Sequence, residues 1–290
     1  MLAAARPMWL NRYMNPSHLF LCGNYQLDLS VPRVMGIVNV TPDSFSDGGK
    51  YESTEKAVEH AMQLVAEGAD ILDIGGESTR PGATPVSLED ELARVVPVIE
   101  QLAKVAGVPL SIDTYKPEVM RAAIAAGADI VNDVRALQEP GALEVVAASR
   151  AGVCLMHMQG TPQTMQVDPQ YGDVVGEVNA FLAQRLAAAE AAGIARERVV
   201  LDPGFGFGKK TEHNLLLLQQ LDKTLALGRP LLVGLSRKSV LGQIAGGDVY
   251  VRLHASLAAS VISVMKGARI VRVHDVKATA DALKVAAAVL

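Results

Sequence analysis

Eight short apolar runs, each followed by a helical pattern, spread over ~260 residues and predict one (β/α)8 barrel. Three observations carry this reading. A segment repeats, the apolar runs lack alternation, and all eight runs end in polar residues. The repeat is seen in Glu67–Gly76 (EGADILDIGG), Ala126–Val134 (AGADIVNDV) and Lys266–Asp275 (KGARIVRVHD). In each, an Ala-rich amphipathic helix stops at Gly, which takes positive φ without strain. Ala and one charged residue follow, then a short β-branched run. Short runs of this kind suit parallel strands buried on both faces.

In chain order, the predicted strands are Val34–Val40, Ile71–Ile74, Leu110–Asp113, Ile130–Asn132, Val153–His157, Val199–Asp202, Leu231–Gly234 and Ile270–His274. The predicted helices are Thr54–Glu67, Leu88–Val105, Pro117–Ala126, Ala142–Ser149, Val174–Ala192, Glu212–Ala226, Val251–Lys266 and Val276–Val289. The rival is an open doubly wound sheet. It calls for a Gly-rich dinucleotide turn after the first strand, where this chain has TPDSFSDGG. Residues 31–290 form the expected domain, a single barrel with mobile loops after its first two strands. Residues 1–30 read as an irregular or peripheral lead-in.

Composition narrows the function classes. Half of the 290 residues are apolar, enough for a sizeable core, and the net charge is −4. No basic block exceeds two residues, which argues against nucleic acid as the main partner. The two cysteines, Cys22 and Cys154, stand far apart without metal spacing, which suits a reducing cytoplasm. The first residues lack the apolar run of a signal peptide, and no stretch approaches membrane-spanning length.

A barrel gathers its strand C-termini on one catalytic rim. There stand Asn39, Asp73, Asp113, Asn132, His157, Asp202, then Ser236, Arg237 and Lys238, then Arg272 and His274. Any one of them could merely cap the next helix. Caps, however, prefer Ser, Thr, Asp and Asn, and this rim also carries Lys, Arg and His. Asp113, Asn132, Asp202 and Lys238 could grip a flat heterocycle edged with donors and acceptors. Arg272, His274 and Asn39 could hold an anion, with or without a divalent ion. GFGFGKKT (Gly204–Thr211) lacks phosphate-loop spacing, since Pro203 stands five positions before Gly208. The methionines of HMQGTPQTM read as packing. GGESTRPGA is no dinucleotide fingerprint, no His or Cys pair has zinc spacing, and there is no nucleophile elbow.

The motifs MGIVNVTPDSFSDGG, DILDIGGESTRPGA, SIDTYKPEV, IVNDV, LMHMQGTPQTMQ, LDPGFGFGK, VGLSRKS and RIVRVHDV occur in this order from about Val34 to Leu283. Together they make the chain resemble the bacterial, single-function dihydropteroate synthases, pterin-binding TIM barrels. The resemblance implies condensation of 6-hydroxymethyl-7,8-dihydropterin pyrophosphate with 4-aminobenzoate to 7,8-dihydropteroate, with release of pyrophosphate. By motif match, Asp113, Asn132 and Asp202 pair with the pterin edges, and Lys238 donates to the ring. Asp73 belongs to the same substrate site. A carboxylate can accept two parallel N–H bonds from a 2-amino-pyrimidine edge. Met156 and Phe207 pack on the ring faces. Asn39 and the Arg272–Val273–His274 segment hold the pyrophosphate, and Asn39 is also the expected ligand of Mg²⁺. One neutral ligand suffices when phosphate oxygens and waters complete the shell.

The resemblance also gives the first loop (Thr41–Gly49) and the second (Gly75–Ala83) the task of folding over the pterin pyrophosphate. Asp43 and Phe45 on the first and Thr79, Arg80 and Pro81 on the second then build the aminobenzoate subsite. Gly48–Gly49 and Gly75–Gly76 are the expected hinges. An ordinary rim loop that never closes is the alternative. The expected catalytic set is Asp43, Phe45, Arg80, Lys238, Arg272 and His274. An aromatic amine is already nucleophilic, so departure of pyrophosphate is the harder step, and a dissociative substitution is favoured. SRKS opens a helix with Ser236 as its expected cap, and Ser239 at that helix start is the expected site for the aminobenzoate carboxylate. The family implies sulfonamide competition and a homodimer. Tyr115 and Ala255 depart from common family residues without touching the expected chemistry. Two other readings compete. A pterin-dependent methyltransferase has no use for DSFSDGG, SRKS or the anion cluster, and a pterin-binding paralogue without activity predicts damaged loops or loss of Lys238.

Overall fold

The structure, a computed structural model, describes residues 18–40, 50–78, 82–248 and 252–290, with the backbone alone for residues 50–52. The expected first loop, and Asp43, Phe45, Thr79, Arg80 and Pro81, lie outside the described residues.

Eight parallel strands make the barrel: β3 (Arg33–Asn39), β4 (Ile71–Gly75), β5 (Leu110–Asp113), β6 (Ile130–Asp133), β7 (Gly152–Met156), β8 (Val199–Asp202), β9 (Leu232–Val233) and β10 (Ile270–Val273). Their order is β8-β7-β6-β5-β4-β3-β10-β9, and a parallel bridge between Leu201 and Leu231 closes the ring. That closure excludes the open doubly wound sheet. The register pairs Asn39 with Gly75, Gly75 with Asp113 and Asp113 with Asn132, so these strand ends reach the same level.

The helices are α1 (Lys50–Glu67), α2 (Leu88–Val105), α3 (Pro117–Ala126), α4 (Ala142–Ala147), α5 (Val174–Ala191), α6 (Thr211–Gln219), α7 (Leu221–Leu225), α8 (Ser239–Ala245), α9 (Leu253–Met265) and α10 (Val276–Ala287). Local chemistry explains several ends. Ser87 accepts from the Asp90 N–H to cap α2, and Asp173 accepts from the Gly176 N–H to cap α5. Gly127 ends α3 at φ 117°, as the repeated segment predicts. The expected helix Glu212–Ala226 is two helices, because Gln220 leaves helical geometry at φ −112°, ψ 27°.

Alternation along the strands sorts two cores. Val38, Leu72, Ile112, Val131, Val153, Leu201, Val233 and Val271 face the helices. Met35, Ile71, Ile130, Cys154, Val200, Leu232 and Ile270 face the barrel axis near the strand starts. Each such side chain, fully buried, contributes about 1.5–3 kcal/mol.

The lead-in departs from expectation. Its last third forms an antiparallel hairpin, β1 (Leu19–Cys22) and β2 (Tyr25–Asp28), that plugs the bottom of the barrel. Phe20, Cys22 and Leu29 pack on the axial cluster. Gly152 has no room for a side chain, since a Cβ there comes within 2.6 Å of the Phe20 ring. The Gly23 N–H donates to Arg150 O at 2.9 Å, and Arg229 Nη2 donates to Leu19 O at 3.1 Å. The hairpin is short and its second strand shows no alternation of burial, so the sequence carried little sign of it.

Candidate active site at the barrel mouth

The same alternation points the other strand ends into the mouth. Above the apolar floor, the axial residues become Asp73, Asp113, Asn132 and Asp202, all buried, with Arg272 partly exposed above them. Arg272 bridges the two strands' carboxylates. Its Nε donates to Asp73 Oδ2 at 2.5 Å and its Nη2 to Asp113 Oδ2 at 2.6 Å. Asn132 Nδ2 also donates to Asp73 Oδ2, at 3.1 Å. That bond leaves the Asn132 carboxamide oxygen as the available acceptor. Asp202 Oδ1 accepts from the Gly204 N–H at 2.7 Å. Lys238 donates to Phe205 O, and its ammonium lies 4.5 Å from the centre of the Phe207 ring, a cation–π contact.

The site is under electrostatic tension. Three carboxylates face two cations. The buried Asp73 Oδ1 and Asp113 Oδ1 have no hydrogen-bond partner among the described residues, nor does Ser111 Oγ one layer below Asp113. Buried acceptors without donors are costly, and both carboxylates belong to inward-facing residues at the strand ends. Burial pushes the Asp113 carboxyl well up, against the pull of Arg272. Asp202 is likewise raised by burial, with Lys238 opposing. Burial draws the Lys238 ammonium down to about 8, and Asp202 resists. The Arg272 guanidinium is held charged by Asp73 and Asp113 against its burial. Perturbations of this size, on groups that converge on one cleft, mark a functional site. Gly75 and Gly234 occupy inward positions, and a Cβ at Gly234 comes 3.8 Å from Arg272 Cβ, so the missing side chains leave room beside the cations.

The sequence divided these residues into a heterocycle set and an anion set. The structure joins them, since Arg272, expected on the anion, pairs with Asp113 and Asp73. His274 is tied to Ser236, whose Oγ lies 3.1 Å from Nδ1 and accepts from the His274 N–H at 3.2 Å. Ser236 therefore does not cap α8; that position belongs to Lys238, and Ser239 is the first helical residue, exposed at the mouth. Met156 is buried, inward-facing, at the end of β7. Val273 packs in the helix-facing core, so its side chain points away from the mouth. Asn39 stands at the last position of β3, half-buried. Gly75–Gly76, expected as a hinge, is anchored: Gly76 O accepts from Arg94 Nη1 at 2.8 Å, and a Cβ at Gly76 meets Val95 Cγ1 at 2.7 Å.

Two networks escaped the sequence reading. Lys116 joins Glu77, near the start of the second loop, to the fully buried Glu91 at 2.5 Å, and Tyr115 Oη donates to Glu77 at 3.3 Å. Lys209, inside the discarded phosphate-loop match, is buried and reaches His157 Nδ1 at 2.9 Å. Nothing local marks either lysine as buried. Only the doubled Lys209–Lys210 after a glycine run hinted that one of the two turns inward.

Comparison with known proteins agrees over almost the full chain. The family model described as pterin binding enzyme matches residues 35–274. A dihydropteroate synthase of Escherichia coli (strain K12) is 55% identical over 264 residues, 91% of this chain and 94% of the relative. The structure of a Xanthomonas albilineans dihydropteroate synthase with 4-aminobenzoic acid superposes with a TM-score of 0.89 at 55% identity, covering 94% of this chain and 98% of that one. A Yersinia pestis dihydropteroate synthase in a sulfonamide complex does so with a TM-score of 0.89 at 49% identity, covering 93% and 98%. Closed barrel, charged mouth and these likenesses agree: the chain belongs to the pterin-binding enzyme family and, within it, to the dihydropteroate synthases.

Proposed function

We propose that this enzyme joins 6-hydroxymethyl-7,8-dihydropterin pyrophosphate to 4-aminobenzoate in folate synthesis, and that the mouth residues divide the work as follows. The single observation that carries the assignment is the ring of inward Asp73, Asp113, Asn132 and Asp202, with two buried carboxylate oxygens that lack donors among the described residues. A pterin offers N–H donors along one edge, and these oxygens are matched acceptors. Lys238 donates to the ring from the other side, and Met156 and Phe207 cover its faces. Asp73 also orients the Asn132 amide. As the pterin engages Asp113, Arg272 gives up that partner and takes the pyrophosphate, beside His274.

The amine nitrogen of 4-aminobenzoate forms the new C–N bond to the pterin methylene carbon. The C–O bond to pyrophosphate breaks, its electron pair leaves with pyrophosphate, and the amine releases a proton. Arg272 and His274 stabilise charge growing on the leaving group. Positive charge on the pterin spreads toward Asp113 and Asp202. Among the described residues no cluster of three or more His, Cys, Asp or Glu could cage a metal. Asn39 alone fits Mg²⁺ that keeps waters and phosphate oxygens as its other ligands. When bound, Mg²⁺ neutralises pyrophosphate charge. We assign the carboxylate of aminobenzoate to the exposed Ser239, and its ring to Phe45, Thr79 and Pro81, with Asp43 and Arg80 closing the subsite. Sulfonamides compete at this subsite. The exposed apolar Ile262 and Met265 on α9 support a homodimer through that helix, and two free, buried cysteines suit the cytoplasm.

The test is pyrophosphate release from the pterin substrate by the purified protein. Release that requires 4-aminobenzoate and is inhibited competitively by a sulfonamide is expected. Release indifferent to 4-aminobenzoate, or none in its presence, overturns the assignment.

A further inference from the structure

We infer that Lys209 is a positioning residue, which fixes the Gly204–Gly208 turn and through it sets Phe207 and the Lys238 ammonium in the pterin site. This rests on the pterin assignment above. The turn between β8 and α6 is unusual in its carbonyls. All five, from Gly204 to Gly208, accept from a side chain. Gly204 O and Phe207 O accept from Lys209 Nζ at 2.9 and 3.0 Å. Phe205 O accepts from Lys238. Gly206 O accepts from Gln166 Nε2 at 2.7 Å, and Gly208 O from Tyr171 Oη at 2.7 Å. A loop held only for packing does not need four side chains donating to five consecutive carbonyls.

Lys209 lies at the centre of this arrangement and is 3% exposed. Its third partner is His157 Nδ1, at 2.9 Å. His157 is itself enclosed, with the Phe181 ring edge-on at 4.9 Å, and burial drops its pKa to about 3, so it stays neutral. Three N–H groups of an ammonium therefore match the three nearer acceptors, with His157 O farther off at 3.4 Å. Should the amine lose a proton, both carbonyl bonds survive and His157 becomes the donor. The anchor works in either protonation state. The backbone has been shaped to meet it. Gly204 has φ 70° and presses on His157 O so closely that a Cβ there lies 1.8 Å from that oxygen. Gly208, at φ 63°, approaches Gln159 O in the same way, with 2.4 Å to a Cβ. The two carbonyls nearest Lys209 flank Phe205 and the ring of Phe207, which are the two groups that touch Lys238. A shift of this turn moves the cation that faces the pterin.

The experiment compares Lys209→Met with wild type by calorimetry with 6-hydroxymethyl-7,8-dihydropterin pyrophosphate and by thermal melting. Affinity is expected to fall about tenfold, the effect of displacing one charged hydrogen bond. Thermal stability should fall as well, because the substitution leaves Gly204 O, Phe207 O and His157 Nδ1 buried without that donor, so affinity is read on the folded fraction. In a Phe207→Ala background the same substitution should cost much less, as the two act through one turn. Wild-type affinity in Lys209→Met, or an equal loss in both backgrounds, overturns the inference. If Lys209→Met does not fold, Gln166→Leu and Tyr171→Phe release the neighbouring carbonyls; a lower pterin affinity supports the inference and an unchanged one overturns it. Lys238→Ala, run in parallel, separates the two readings. Normal pterin binding in that variant removes the site assignment and this inference with it. Weak binding there with normal binding in Lys209→Met removes this inference alone.

Discussion

The two ends of one barrel are built on opposite terms. At the floor, Met35, Ile71, Ile130, Cys154, Val200, Leu232 and Ile270 are sealed by Phe20 and Leu29 of the hairpin, and the side chains are apolar. At the mouth, two or so residues further along the same strands, Asp73, Asp113, Asn132, Asp202 and Arg272 stand in a buried, partly unsatisfied cluster. A parallel strand of four or five residues spans both regions, so one strand carries stability at its start and chemistry at its end. The mouth holds acceptors without partners among the described residues, which a folding argument alone disfavours. The floor supplies the rigidity that keeps them in place.

That contrast can be broken at either end. The largest effect is expected at the floor. Phe20→Ala should lower unfolding stability by about 3–5 kcal/mol, the cost of truncating a buried aromatic. Pterin affinity of the folded fraction should not change, and denaturant melts with calorimetry will show it. A matching loss of affinity makes the floor part of the site.

Next comes the mouth. Asp113→Asn, Asp202→Asn and Lys238→Ala should each weaken pterin binding ten- to a hundredfold, or about 1.5–3 kcal/mol for a charged hydrogen bond. Melting temperatures should stay level or rise for the Asp variants, since a desolvated charge is removed. A variant with wild-type affinity is not part of the site.

A smaller, differential effect sharpens the mouth itself. His274→Ala and Arg272→Ala should weaken the pyrophosphorylated pterin by about tenfold more than a plain pterin. Equal losses for both ligands mean that these side chains only shape the barrel. Arg272→Ala also strands Asp73 and Asp113 without their shared cation, so its melting point should drop while that of His274→Ala holds.

The smallest effect is on pH dependence. Asp113 acts as a carboxylate, and burial raises its pKa, so activity should fall on the acid side at a pH above the ordinary carboxylate range. Lys238 acts as an ammonium with a pKa of about 8, so activity should fall again on the alkaline side from there, well below the ordinary lysine range. The profile of kcat/KM for the pterin substrate should be a bell between these limbs. Lys238→Arg should remove the alkaline limb. A profile flat through pH 9 rules out Lys238 as the titrating donor.

Periodicity and terminators alone placed the eight barrel strands, and most helices, to within a few residues. The reason is local. A run such as Ile71–Gly75 has both faces buried, and a glycine such as Gly127 ends a helix wherever the helix lies. The polar strand ends were equally readable, because period-two alternation commits Asp73, Asp113, Asn132 and Asp202 to one side before any partner is known. Partners were not readable. Arg272 and Asp113 stand 159 positions apart, and only ring closure brings the last strand beside the first and its guanidinium between two carboxylates. Pairing of neighbouring strands likewise brings His157 to Lys209 and Ser236 to His274 in place of a helix cap, and the assembled sheet seats the hairpin under the floor. Which residues face inward is a property of each strand. Which inward residues meet, and at what charge, is settled by the barrel, because burial and long-range contact exist only once it has closed.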